Sequence, residues 1–324
     1  MIRLIKWLLS GALGLLVLAL LVLAGFRIAA AMRERETAMP ATMRMVTTPL
    51  GGVAVAMAGP EDGPPVMLVH GTAGWSGFWR NVTRHLAARG WRVIAVDLPP
   101  FGFSERDPRA RYRRQDQAAR LADVLAQTAG RRALVVGHSF GGGPAAELAL
   151  IAPERLASLV LVDAALGTPD PAPRAPNLVQ RLAGRGWIAG PLTSASVTNP
   201  AATGELLRSM LARREAADPW IATIQAPMRR EGTTTGYAAW LPALLTDDDG
   251  AASRRSAALQ GIQVPVSLIW GEADTVTPIA QGERIARLTR ARSFARLPGV
   301  GHIPHIEDEA AFLAALDAAL GRPR

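Results

Sequence analysis

The 324-residue chain contains no cysteine, which excludes disulfides, thiol nucleophiles and cysteine-ligated metal sites. Lysine is nearly absent: Lys6 is the only one among 36 basic residues. Aromatic residues make up 5% of the chain, with two tyrosines. The net charge of +9 is therefore arginine charge without interleaved aromatic platforms, a poor pattern for nucleic acid. With 31 glycines and 24 prolines, this looks like codon bias. The one dense basic patch, Arg106, Arg109, Arg111, Arg113 and Arg114, reads as a solvated loop and helix start. No Gly-x-Gly-x-x-Gly, Walker loop or His-Glu-x-x-His is present, so no cofactor and no metal are expected. No internal repeat is visible.

What the chain has in plenty is an uncharged run of 20 residues, 7–26, bounded by Lys6 and Arg27. That is about the length a helix needs to cross the hydrocarbon core, and Trp7 and Phe26 stand where interfacial aromatics would. Residues 1–40 are read as a single-pass membrane anchor and linker. A cleaved signal peptide is the rival, with Ala29-Ala30-Ala31 as a small-residue site. The apolar run, however, exceeds the roughly 7–15 residues of a signal core. Arg27, Arg33 and Arg35 after the span slightly outnumber Arg3 and Lys6 before it, which favours a cytoplasmic domain. A short tail before a single anchor favours the outer, periplasmic or extracellular side, and the reading leans that way. Every chemical motif lies beyond Val66, so deleting residues 1–36 is expected to release a soluble, active domain.

The chemistry centres on Gly137-His138-Ser139-Phe140-Gly141, between the apolar run Ala133-Leu134-Val135-Val136 and an Ala- and Leu-rich helical segment. Gly-x-Ser-x-Gly at a strand-to-helix turn is a nucleophile elbow: the turn is so tight that side chains at Gly137 and Gly141 would collide with it. Alone, the motif could be an ordinary glycine-rich turn. Two further loops, one after the apolar run Val266 to Ile269 and one after the strand-like Ser293 to Leu297, give it meaning. Trp270-Gly271-Glu272-Ala273-Asp274 supplies an acid and Gly299-Val300-Gly301-His302 an imidazole, in the chain order Ser139, Asp274, His302. Asp163 is a rival acid, because Leu159-Val160-Leu161-Val162-Asp163 also ends a strand-like run. His70, His138, His85 and His305 are read as loop-bracing, packing, helix-surface and pocket-rim residues, and Asp97 as a loop-former.

These blocks, with Val66-Met67-Leu68-Val69-His70-Gly71-Thr72 and Val96-Asp97-Leu98-Pro99-Pro100-Phe101-Gly102-Phe103-Ser104, resemble the α/β-hydrolase fold superfamily from about residue 43 to residue 320. Pro100 stands where that family usually has glycine, so the path of its loop is expected to differ. The resemblance implies a mostly parallel eight-stranded sheet flanked by helices. It favours Asp274 over Asp163 as the acid, and it places the oxyanion-hole N–H groups on Thr72, in preference to Ala73, and on Phe140.

Seven windows read as strands: 52–58, 66–70, 92–97, 133–137, 159–163, 266–270 and 293–297. Phe312, Leu316 and Leu320 form the apolar stripe of a last helix. From Asp163 to Val264 the strand rhythm stops. Pro169, Pro171, Pro173 and Pro176 open that stretch, and Trp187, Trp220, Tyr237 and Trp240 follow. It looks like a helical cap inserted at about 165–260 of a domain spanning 41–324, its aromatics serving either as cap core or as pocket lining. The whole reads as a serine hydrolase cleaving a carboxylic ester, or related acyl bond, of an apolar small molecule. The same residues would serve a carbon–carbon bond hydrolase or a cofactor-free perhydrolase. A non-catalytic binding protein is the alternative of another class. Oligomeric state is not legible.

Overall fold

The structure, a computed structural model, describes residues 2–170, 181, 185–245 and 250–322. It opens on α1 (Ile2–Arg33), a helix of 32 residues that continues past the uncharged run. Its segment Lys6–Arg33 is long and apolar enough to cross a membrane. Residues 6–22 are exposed, but Leu23, Arg27, Ala30 and Glu34 turn away from solvent. That spacing of four, three and four is one face of a helix.

Eight strands make the single sheet: β1 (Met43–Thr48), β2 (Gly51–Ala58), β3 (Pro65–Val69), β4 (Arg92–Val96), β5 (Ala133–His138), β6 (Leu156–Val162), β7 (Val266–Gly271) and β8 (Ser293–Leu297). Their order is β1-β2-β4-β3-β5-β6-β7-β8. β2 is antiparallel to both its neighbours, and every other pairing is parallel. β1 lies outside the seven windows read from the sequence. It is an edge strand with a mixed burial pattern and so lacks a continuous apolar signature. β3 and β7, by contrast, are buried along their whole length, as parallel strands covered on both faces must be.

One cover is α2 (Arg80–Ala88), which buries Val82 and Leu86 beside Phe312 and Leu316 of the last helix. On the other face, α3 (Arg114–Thr128) and α4 (Gly142–Ile151) bury Leu121, Val124 and Leu148. Each such aliphatic side chain stabilises the fold by roughly 2 kcal/mol. The order β4-β3-β5 makes the chain reverse direction between β3 and β5. The loops leaving these two strands therefore diverge and open a crevice at their carboxyl ends.

Between β6 and β7 lie α5 (Gly186–Ala195), α6 (Pro200–Ser209), α7 (Asp218–Gln225), α8 (Thr233–Leu245) and α9 (Ser256–Gln260). Pro171, Pro173 and Pro176 fall outside the described residues. Trp220, Tyr237 and Trp240 are buried, and Trp187 is exposed. Phe101 meets Tyr237 and Trp240 edge-on, at ring-centroid distances of 4.9 and 4.8 Å. Those rings form the core that joins the insertion to the sheet. The chain then returns through α10 (Ile279–Thr289), α11 (Pro304–Glu307) and α12 (Glu309–Leu320).

The sequence gives no hint that α1 and the insertion touch, yet α1 packs along α5. Arg33 Nη2 donates to the Thr198 carbonyl at 3.2 Å, and Glu34 Oε1 accepts from the Thr234 N–H at 2.8 Å. Arg35 exchanges backbone hydrogen bonds with Arg229 and Glu231. The expectation for a deletion of residues 1–36 changes accordingly. That variant is expected to melt several degrees below one lacking only residues 1–22, because about 1 kcal/mol shifts Tm by a few degrees in a domain this large. Equal melting temperatures in detergent would show that the contacts carry no stability.

The basic patch is also corrected. Arg106 Nη2 donates to Thr233 Oγ1 at 2.7 Å and Arg114 Nη1 to Ser253 Oγ at 3.0 Å. Both are half-buried ties between the main domain and the insertion. Arg109 and Arg113 are solvent-exposed, as expected.

Candidate active site

Ser139 follows β5 with φ +50°, a left-handed conformation that costs a non-glycine residue energy. Its flanking glycines are there for space. A Cβ on Gly137 would stand 2.8 Å from the Ala145 Cβ, and one on Gly141 would stand 2.4 Å from the His70 carbonyl oxygen. The serine is thereby raised into the crevice between β3 and β5, at the start of the buried helix α4.

Loops from the other side of the sheet complete the arrangement. His302, beyond β8, accepts at Nε2 from Ser139 Oγ at 2.8 Å and donates from Nδ1 to Asp274 Oδ2 at 2.8 Å. Asp274, beyond β7, is fixed in turn. Its Oδ1 accepts the N–H groups of Val276 and Thr277 at 2.7 and 2.9 Å, and its Oδ2 accepts the Thr277 hydroxyl at 2.6 Å. Burial alone would push the Asp274 carboxyl up, but the hydrogen bond and charge of His302, with the Thr277 donors, hold it below the usual carboxylate range. The three predicted side chains are thus in one hydrogen-bonded line. Asp163 is also buried nearby, but its Oδ1 accepts the Gly271 N–H at 2.9 Å.

Several partners were not legible in the sequence. His138 donates from Nε2 to the carbonyl of His302 at 2.8 Å, and the His302 N–H donates to Met210 O of the insertion at 2.9 Å. Glu307 accepts from the N–H groups of Gly301 and Arg213, both at 2.8 Å. The His302 loop is therefore held from the elbow, the insertion and α11 together. His70 has a fixed tautomer: Nε2 accepts the Leu98 N–H at 2.9 Å, so Nδ1 donates to Gly71 O at 2.7 Å. Burial lowers its pKa to about 4. Burial, then His302, lowers that of His138 to about 3, and His305, stacked on Trp79 at 4.1 Å, is pushed well down for the same first reason. These three imidazoles are neutral supports. His85 faces Asp317 at 3.0 Å on the surface side of α2.

Asp97 does form its loop, accepting the N–H groups of Ser76 and Phe103, both at 2.7 Å. Burial raises its pKa to about 6.

Ser139 and Thr72 border two clefts. One is apolar, walled by Phe78, Leu207, Met210, Ile224 and Ile303. The other, about 320 Å³, is more polar and includes Phe140, Arg114, Arg254, Thr277 and Gln281. Thr72 and Phe140 thus line the same cleft as the serine, just beyond the ends of the adjacent strands β3 and β5. The Thr72 N–H donates to no other group among the described residues.

Asp163, Asp274 and His302 are the acid–imidazole group among the described residues close enough to hold a metal ion, within 4.8 Å of one another. Both nitrogens of His302 are already engaged by Ser139 and Asp274, so a metal would have to displace that relay.

The family profile of the alpha/beta hydrolase fold matches residues 64–309. The chain is 32% identical over 253 residues to a magnesium-chelatase 30 kDa subunit of Rhodobacter capsulatus, covering 76% of this chain and 83% of the relative. It is 29% identical over 265 residues to a pimeloyl-[acyl-carrier protein] methyl ester esterase of Nitrosomonas europaea, covering 79% and 96%. Among solved structures it is similar to a membrane phospholipase A described as a bacterial virulence factor. That match has TM-score 0.64 and 24% identity, and covers 98% of this chain and 97% of the other.

Proposed function

Because the chain belongs to the alpha/beta hydrolase fold family, we propose that this hydrolase cleaves a carboxylic ester, or related acyl bond, of an apolar small molecule through an acyl-enzyme on Ser139. The observation that carries the reading is the line Ser139 Oγ–His302–Asp274, with both hydrogen bonds at 2.8 Å. A serine hydroxyl is a weak nucleophile near neutral pH, so a base must take its proton as it attacks. His302 Nε2 is that base and later returns the proton to the leaving alcohol. Asp274 keeps the other ring nitrogen protonated and stabilises the imidazolium. The backbone N–H groups of Thr72 and Phe140 receive the oxyanion, a contact worth roughly 3 kcal/mol per donor. Water then repeats the sequence to release the acid. The apolar cleft suits the acyl chain, and the wider cleft suits the alcohol portion.

The experiment is labelling of the full-length protein with a fluorophosphonate probe, alongside hydrolysis of a panel of chromogenic acyl esters. Labelling of wild type but not of Ser139→Ala, with turnover of at least one ester, is the expected result. A folded protein that neither labels nor turns over any ester would instead be a binding protein.

The membrane is the proposed partner, held through residues 7–26, with the domain on the outer side. Supporting the span, though not its orientation, are the exposure and length of α1, and the likeness to the membrane phospholipase A, whose 98% coverage takes in α1. Full-length protein is expected to remain in the membrane fraction through carbonate washing, because about 20 buried apolar residues outweigh peripheral electrostatics. Mature protein starting near Met32 would identify a cleaved signal instead.

A further inference from the structure

A second carboxyl stands beside the relay with no part in the mechanism above. Asp163 closes β6 at φ +42° and is wholly buried. Its Oδ1 accepts the Gly271 N–H at 2.9 Å, while Oδ2 has no hydrogen-bond partner among the described residues. Acceptor atoms of Asp163 and Asp274 and a ring nitrogen of His302 all lie within 4.8 Å of one another. The titratable groups facing Asp163 are Asp274 from the loop after β7, His302 from the loop after β8, and Glu307 from α11. Two of these three are acids. A pair of buried carboxylates at this separation cannot both ionise cheaply. Asp274 has four donors that stabilise its charge, whereas Asp163 has one. The proton therefore belongs to Asp163. Its burial, followed by the charge of Asp274, pushes its carboxyl well above the usual range.

We infer that Asp163 is a positioning residue of the His302 relay: a neutral carboxyl that backs the ionised Asp274, and the reserve counter-ion of His302 when the charge of Asp274 is removed. In the wild type Asp163 keeps its proton, and the otherwise unpartnered side of its carboxyl turns an O–H toward Asp274. In an Asp274→Ala variant the like charge is gone and space opens. Asp163 then releases its proton to solvent, and the carboxylate faces His302 Nδ1–H. The inference rests on the proposed hydrolase mechanism, and its test has one arm that needs no catalysis.

The catalytic arm measures kcat/KM against pH for Asp163→Asn, Asp274→Ala and the double variant, on an ester the wild type hydrolyses. Asp163→Asn, which mimics the neutral acid, is expected to cost up to about tenfold and to keep the wild-type pH profile. Asp274→Ala is expected to keep a residual activity that rises with pH through an ionisation absent from the wild-type profile. The double variant is expected to lose that rise and at least about tenfold of the residual, a coupling that independent sites would not show. A double variant matching Asp274→Ala in rate and profile overturns the reserve role. Asp163→Asn as damaged as Asp274→Ala overturns the assignment of the two acids.

The second arm is thermal melting. A carboxyl whose folded-state pKa is raised contributes stability that is lost as pH rises above its unfolded value, 3.8. Asparagine has no such loss, so the Tm advantage of Asp163→Asn over wild type should grow as pH rises from 4 to 7. A constant or shrinking difference would show an ionised Asp163 and overturn the inference, whatever the substrate proves to be. Failure to find any ester substrate, with the growing difference present, would count against the hydrolase reading alone.

Discussion

Ser139→Ala is expected to abolish ester hydrolysis while leaving the protein folded. The alanine removes one oxygen from a side chain whose hydroxyl, among the described residues, bonds only His302 Nε2, and the φ of +50° is no worse for alanine than for serine. Among the described residues, nothing else in the crevice could replace the proposed nucleophile. His138 and His305 are neutral supports with their rings committed to His302 O and to Trp79, and the chain has no thiol. On the proposed mechanism, loss of the serine leaves only what the oxyanion donors and binding provide, so a fall on the order of 10⁶-fold in kcat is expected. Circular dichroism and the melting temperature should be close to wild type. More than a few per cent of wild-type turnover in the purified variant would remove Ser139 from the mechanism.

Asp274→Asn should lower turnover by about 10⁴-fold. The amide presents a donor where His302 Nδ1 needs an acceptor, so the ring is driven to the tautomer whose Nε2 carries the proton. That nitrogen then cannot take the proton of Ser139. The backbone N–H groups of Val276 and Thr277 now donate to Asp274 Oδ1 and can bond the amide oxygen equally well, so the loop should keep its shape. The loss is therefore electronic, and KM should change little beside kcat. Asp163→Asn should cost far less, because the one hydrogen bond donated to that carboxyl among the described residues, from Gly271, needs an acceptor that asparagine also supplies. A reversed ranking would transfer the acid's role to Asp163.

The elbow was legible because sterics write it into the sequence: a crevice this tight admits only glycine at 137 and 141. The order of serine, acid and imidazole was legible because each follows a strand-like run, apolar before Ser139 and Asp274 and mixed, Ser293 to Leu297, before His302. The choice between Asp163 and Asp274 was not contained in the residues themselves, since both end buried strands and only the resemblance ranked them. What separates them is where His302 Nδ1 points, a tertiary fact. β1 escaped notice because an edge strand shows water one of its sides. The patch from Arg106 to Arg114 misled because local sequence cannot tell where a long side chain ends. Arg106 and Arg114 reach residues 127 and 139 positions away. Nor could the sequence decide between cap core and pocket lining for Trp220, Tyr237 and Trp240, which pack among buried side chains at the base of the insertion.

The docked end of α1 sets how the domain stands. Arg27, at the edge of the uncharged run, and Ala30, buried against the insertion, belong to one unbroken helix. From Phe26 to Ala30 the helix climbs about 6 Å. On the reading that α1 spans a bilayer, the domain is mounted on a post and not held on a leash. Its height above the lipid is fixed at about one helical turn, and its heading is fixed by the face of α1 that carries Leu23, Arg27, Ala30 and Glu34. A flexible Gly-Ser stretch inserted after Arg35 would keep the same active site and the same membrane segment. It would free the domain to swivel and drift, and any preference for substrates at that one height would disappear with the post.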